Sequence, residues 1–159
     1  MYTHLLLPTD GSPLSDLATD QGLALAARLG ARVTILTVIE PFRTFNLSEE
    51  LMADVRVSYE RSARESAERL LQAAAAKASA AGVAATTLVG EDEHPHTSIM
   101  QTADEAGCDL IVMASHGRRG VSALLMGSET QKVLTHSTIP VLVIRHKPGT
   151  SPAAPTSEN

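Results

Sequence analysis

The sequence predicts an α/β fold in which a parallel sheet is covered by helices on both faces. Two observations predict it. Short apolar runs alternate with longer stretches whose apolar residues recur at helical spacing. The short runs are also apolar on both faces, as strands buried from both sides must be. Each strand–helix–strand step should then cross over right-handed. With 159 residues the chain makes one domain.

The first run, His4–Pro8, stops at the turn sequence Pro8-Thr9-Asp10-Gly11-Ser12. A helical stripe follows over Pro13–Leu29, with Ser12 as N-cap, Pro13 at the first helical position and Gly30 as the stop. A β-branched run over 33–39 closes at Glu40-Pro41 as the second strand. Residues 42–54 hold half of the aromatic side chains and read as a loop or short helix. An alanine-rich helix is predicted over 57–80, with Arg61, Arg64, Glu65, Glu68 and Arg69 on a solvated face of i,i+4 pairs and Gly82 as the stop. Then come a strand over 83–89, a helix over 96–106 ended by Gly107, and a strand over Leu110–Ala114. A last helix beginning at Gly127-Ser128-Glu129-Thr130 and a strand over Val141–Ile144 complete five strands and four helices. The domain is expected to span 1–146, and 147–159, rich in Pro, Ser and Thr, reads as a disordered tail.

Composition excludes several functions. The only aromatic residues are Tyr2, Phe42, Phe45 and Tyr59, so the core is aliphatic and no platform for stacking exposed bases is available. A formal charge of −5 has the wrong sign for coating nucleic acid. The lone Cys108 has no disulfide or zinc partner and reads as a small buried residue. No apolar stretch approaches the roughly 20 residues needed to span a bilayer. The opening residues lack the basic region and long apolar run of a secretory signal, so a cytoplasmic protein is expected.

In an open parallel sheet, ligands bind beyond the carboxyl ends of the strands, where strand order reverses. Three such ends carry suggestive residues: 8–12, 38–40, and the segment from Ala114-Ser115-His116-Gly117 to Gly127-Ser128-Glu129-Thr130. In the last, two glycine turns bracket an apolar stretch and the second opens a helix. A helix start offers unpaired N–H groups and a positive dipole end to an anion such as phosphate. Ser128 suits either a phosphate hydrogen bond or a helix cap, and Arg118 either phosphate neutralisation or plain solvation. Neither a P-loop nor a dinucleotide fingerprint occurs.

These residues carry a resemblance to the universal stress protein family, whose nucleotide-binding members have G-x2-G-x9-G-[ST]. Here the chain reads Ala114-Ser115-His116-Gly117, nine residues, then Gly127-Ser128, with Ala114 in place of the first glycine. The resemblance implies the strand order 3-2-1-4-5 and a homodimer through the last strand. It implies ATP, alone or with Mg2+, as ligand. On the matching positions, Asp10 would bind the ribose hydroxyls, Pro8 and Thr9 would line base and sugar, and Val38 would meet adenine through its backbone. Met113 would pack beside the nucleoside, with Ala114, His116, Gly117 and Arg118 near ribose and phosphates. Gly127, Ser128, Glu129 and Thr130 would hold phosphates through N–H groups and hydroxyls. Ala114 matters little if its backbone is β-like, and ATP binding is expected to survive it.

Other candidates are weaker. The cluster Glu91-Asp92-Glu93-His94-Pro95-His96 holds metal-competent side chains, but acidic residues at a helix start already complement its dipole. His4 reads as a satisfied structural histidine. His116 lacks a nucleophile and an orienting acid in the sequence. The favoured function is a dimeric, ATP-binding stress-response protein with little or no turnover. The alternatives are a slow ATP hydrolase or autophosphorylating enzyme, and a nucleotide-free interaction dimer.

Overall fold

The computed structural model describes residues 1–42, 49–117 and 126–145, with the side chains of 49–52 left aside. Its elements run β1 (His4–Pro8), α1 (Pro13–Leu29), β2 (Arg32–Ile39), α2 (Glu49–Ala80), β3 (Ala85–Glu91), α3 (Pro95–Ala106), β4 (Leu110–Ala114), α4 (Ser128–His136) and β5 (Val141–Ile144). The strands form one parallel sheet in the order β3-β2-β1-β4-β5, as expected. The predicted tail over 147–159 lies outside the described residues.

Two aliphatic clusters sandwich the sheet. Leu5, Leu7, Val33, Ile35 and Val112 face α1 and α2 through Leu14, Ala18, Leu23, Leu71 and Ala78. Leu6, Leu36, Ile111 and Met113 face α3 and α4 through Ile99, Ala103 and Val133. Leu5, Leu6, Leu7, Ile35 and Ile111 are fully buried, and each such side chain stabilises the fold by about 1.5–3 kcal/mol. Both helix stops of α1 behave as local chemistry dictates. Ser12 Oγ accepts from Ser15 N–H ahead of Pro13, and Gly30 ends the helix at φ 65°, where a side chain would be strained.

Three expectations need correction. The third strand is Ala85–Glu91 rather than 83–89. Val83 N–H donates to Ala78 O and its side chain is buried, so this residue closes α2 before the strand begins. The strand is also not buried on both faces: it is the sheet edge, and Ala85 to Leu88 are exposed. Finally, α2 begins at Glu49 rather than at 57 and so takes in 49–54, expected as part of a loop or short helix, together with 55 and 56. The residues from 53 to 62 are exposed, Val55, Val57 and Tyr59 among them, so that end is not packed on the core. Its predicted charged face is present, with Arg61 Nε 2.9 Å from Glu65.

At the opposite end of the sheet from the strand C-termini, Asp109 accepts hydrogen bonds from Thr3 N–H, Thr3 Oγ1 and His4 N–H, tying β1 to β4. His4 is buried as expected but only half satisfied. Its Nε2 lies 2.8 Å from Thr34 Oγ1, while Nδ1 has no hydrogen bond among the described residues. Burial, with Arg32 nearby, pushes its pKa down. Cys108 is buried, and burial pushes its thiol up. No helix among the described residues is long and apolar enough to cross a membrane.

Candidate nucleotide site

The sheet opens at its centre. Pairing between β1 and β4 runs only through Leu5↔Leu110 and Leu6↔Ile111. Beyond that, β1 stays on β2 as far as Pro8↔Leu36, and β4 stays on β5 as far as Ala114↔Ile144. The two central strands therefore part towards their C-terminal ends, at the point where strand order reverses.

One wall of the opening is the turn after β1. Thr9 N–H donates to Leu36 O, and Thr37 Oγ1 donates to Thr9 O over 2.6 Å, holding the turn on β2. The Thr9 side chain is buried, with its hydroxyl 3.1 Å from Ser15 Oγ. Asp10 Oδ1 accepts from Ser12 N–H at 3.0 Å, which orients its carboxylate at the rim. Val38, at the end of β2, packs partly buried into the same cluster as Met113.

The other wall joins β4 to α4. Gly127 N–H donates to Ser115 O at 2.8 Å, and Thr130 Oγ1 donates to Ala114 O at 3.0 Å. The start of α4 is thus fixed on the end of β4. Gly127 is the N-cap, and its first intrahelical acceptor role is filled by Gln131 N–H. Helical geometry leaves the N–H groups of Ser128, Glu129 and Thr130 without intrahelical acceptors. Two glycines sit at points of close approach. A Cβ on Gly117 would run into the Asp10 carboxylate, and one on Gly127 would lie 3.1 Å from His116 Cα and 3.4 Å from Ser115 O.

The residues singled out from sequence therefore gather at the C-terminal ends of the central strands, through the pairs Asp10–Gly117, His116–Gly127 and Ala114–Thr130. Arg118 lies outside the described residues. Ala114 is in extended backbone, with its methyl in the cluster facing α1, so the missing first glycine leaves the strand undisturbed. The Thr130 hydroxyl is engaged by Ala114 O and the Gly127 N–H by Ser115 O, so these two groups do not have the free donors expected for phosphate. Ser115 Oγ lies 3.1 Å from His116 Nδ1, but Ser115 is buried.

Sequence reasoning missed the part played by the Glu129 side chain. Its Oε2 accepts from His96 N–H at 2.9 Å and lies 2.8 Å from His96 Nδ1, while Oε1 accepts from Lys132 Nζ at 2.9 Å. A carboxylate only accepts, so His96 Nδ1 carries the proton. Burial disfavours the charge, yet the hydrogen bonds from His96 N–H, Lys132 and the His96 ring outweigh it and hold the Glu129 carboxyl down at about 2. This corrects the expectation for 91–96: the first turn of α3 holds no acidic residue, and its carboxylate comes from α4, 33 positions later. Asp92 accepts from His94 N–H. Among the described residues no three His, Cys, Asp or Glu side chains gather to hold a metal.

The family model for universal stress proteins matches residues 1–145. The chain belongs to the universal stress protein family. Its relatives include the universal stress protein YxiE of Bacillus subtilis, 31% identical over 153 residues, covering 91% of this chain and all of that protein. The fold is similar to the solved structure of MJ0577, a Methanocaldococcus jannaschii universal stress protein, with a TM-score of 0.78 at 26% identity over 92% of this chain and 98% of that one. It is also similar to a universal stress protein solved in complex with cAMP, with a TM-score of 0.68 at 24% identity, covering 92% and 98% of the two chains.

Proposed function

We propose that this universal stress protein binds an adenine nucleotide, ATP with or without Mg2+, in the opening between β1 and β4. The observation that carries this reading is the coincidence of three features at one point. The central strands part, the α4 N-terminus is fixed beside the gap, and Gly117 and Gly127 pack closely against Asp10 and His116 on either side of it. An anion at that terminus meets convergent N–H groups and the positive end of a helix dipole. The cAMP complex of a related protein supports the ligand class.

In this reading Asp10 accepts from the ribose hydroxyls, and Pro8, Thr9 and the Val38 backbone border the base, with Met113 behind the nucleoside. Ala114, His116 and Gly117 border ribose and phosphates, with Arg118 beside them. The N–H groups of Ser128, Glu129 and Thr130, with the Ser128 hydroxyl, receive the phosphates, while Gly127, its own N–H bonded to Ser115 O, lets them approach. Any Mg2+ would be held chiefly by phosphate oxygens. Among the described residues the hydroxyl beside His116, that of Ser115, is buried, and in this reading the nucleotide acts as a bound signal with little or no turnover. Residues 1–146 form the functional domain, working in the cytoplasm as a homodimer through β5. That strand is an edge of the sheet and exposes Leu142.

Mass spectrometry of whatever small molecule the purified protein retains, followed by calorimetry with ATP, tests the reading. A retained adenine nucleotide, with binding abolished in Gly127→Val, is expected. No binding at millimolar ATP would overturn it and leave the nucleotide-free interaction dimer. Labelled ATP distinguishes the enzymatic alternative, since phosphate release or protein labelling at catalytic rates would favour it.

A further inference from the structure

We propose that Glu129 sets how much phosphate charge the site accepts, a specificity-determining role that rests on the nucleotide reading above. Two helix N-termini, those of α3 and α4, lie on the same face of the sheet and are bridged by this one side chain. Each presents N–H groups without intrahelical acceptors and a positive dipole end. The protein fills one of them itself. The N-cap of α3, His94, makes no side-chain cap bond, and the Glu129 carboxylate takes the place of an acid there by accepting from His96 N–H and ring. Among the described residues no side chain caps the terminus of α4, the terminus that receives the phosphates in the nucleotide reading.

The arrangement has an electrostatic consequence. Glu129 stands in the first turn of the helix whose N–H groups face the ligand, so it fixes a negative charge beside the phosphate position. Lys132, bonded to the same carboxylate, offsets that charge. A monophosphate feels little of the remainder. A triphosphate carries more charge and reaches further, so it feels more, since the repulsion grows with each added charge. Glu129 and Lys132 together therefore decide the preference for ATP over AMP.

Glutamine at 129 keeps the size and still accepts from His96 N–H, so Glu129→Gln removes charge without removing the cap. AMP, ADP and ATP are titrated by calorimetry into wild type, Glu129→Gln and Lys132→Gln at low and high salt. The ratio of ATP to AMP affinity should rise on the order of three- to tenfold in Glu129→Gln and fall comparably in Lys132→Gln, with both changes shrinking at high salt. Should Glu129→Gln fail to fold, the Lys132→Gln ratio alone decides. All three proteins binding nucleotide with the same ratio overturns this inference and leaves the nucleotide reading intact. A wild-type protein that binds none of the three overturns the nucleotide reading, and this inference with it.

Discussion

The hydroxyl of Thr130 donates to the carbonyl of Ala114 over 3.0 Å, joining the first turn of α4 to the last residue of β4. Both residues are buried, so the bond has no water to replace it. Thr130→Val keeps the shape and deletes the donor, leaving the Ala114 carbonyl unpaired. That should cost about 1–3 kcal/mol of stability, read as a lower urea midpoint, and should weaken nucleotide binding through the displaced helix start. An unchanged midpoint would mean that the bond does not hold the site.

Gly117→Ala addresses the opposite wall. Its Cβ would meet the Asp10 carboxylate, which must swing away from the position proposed for the ribose hydroxyls. ATP affinity should fall roughly tenfold or more, equivalent to about 1.4 kcal/mol. Gly117 is exposed, so thermal stability should change far less. Equal losses in both quantities would assign Gly117 to folding alone.

Ala114→Gly restores the glycine of the family motif, yet improvement is not expected. The Ala114 methyl belongs to the core facing α1, and glycine within a strand costs about 0.5–1 kcal/mol relative to alanine. Stability should drop by about that amount and ATP affinity should stay level. Tighter binding in this variant would show that the methyl obstructs the phosphates.

Acid should erase the contribution of Glu129. Its carboxyl sits at about 2 in the folded protein against an ordinary 4.5, so the folded state binds the proton more weakly than the unfolded chain. The stabilisation is complete above 4.5 and is lost as pH falls towards about 2. Wild type should therefore exceed Glu129→Gln in urea midpoint at neutral pH, and the gap should close across that window. A gap that persists at the acid end would show that shape, not charge, makes the difference.

What the sequence made legible was the chemistry that acts over a few residues. Ser12, Pro13 and Gly30 bound α1 because caps and stops are local, and the two-faced apolar runs of β1, β2 and β4 marked the sheet interior. What it hid depends on partners distant in the chain. His96 and Glu129 are 33 positions apart, so nothing near either one announces that an acid on α4 caps α3. The edge strand β3 resembles an interior strand in its Leu88-Val89 pair, although one side of it has no neighbour. The family motif located the glycines. Only the register showed why the pocket opens there, with β1 and β4 separating after Leu6↔Ile111.

The hydrogen bond from Gly127 to Ser115 bears on how such a site can diversify. It closes the intervening stretch into a ring whose two ends are fixed independently of what lies between. Doubling the length of a closed loop costs only about 0.6 kcal/mol. Insertions and exchanges after Arg118 and before Met126 should therefore leave the Gly127–Ser115 bond standing, and new recognition chemistry can be added there while the helix start stays where it is.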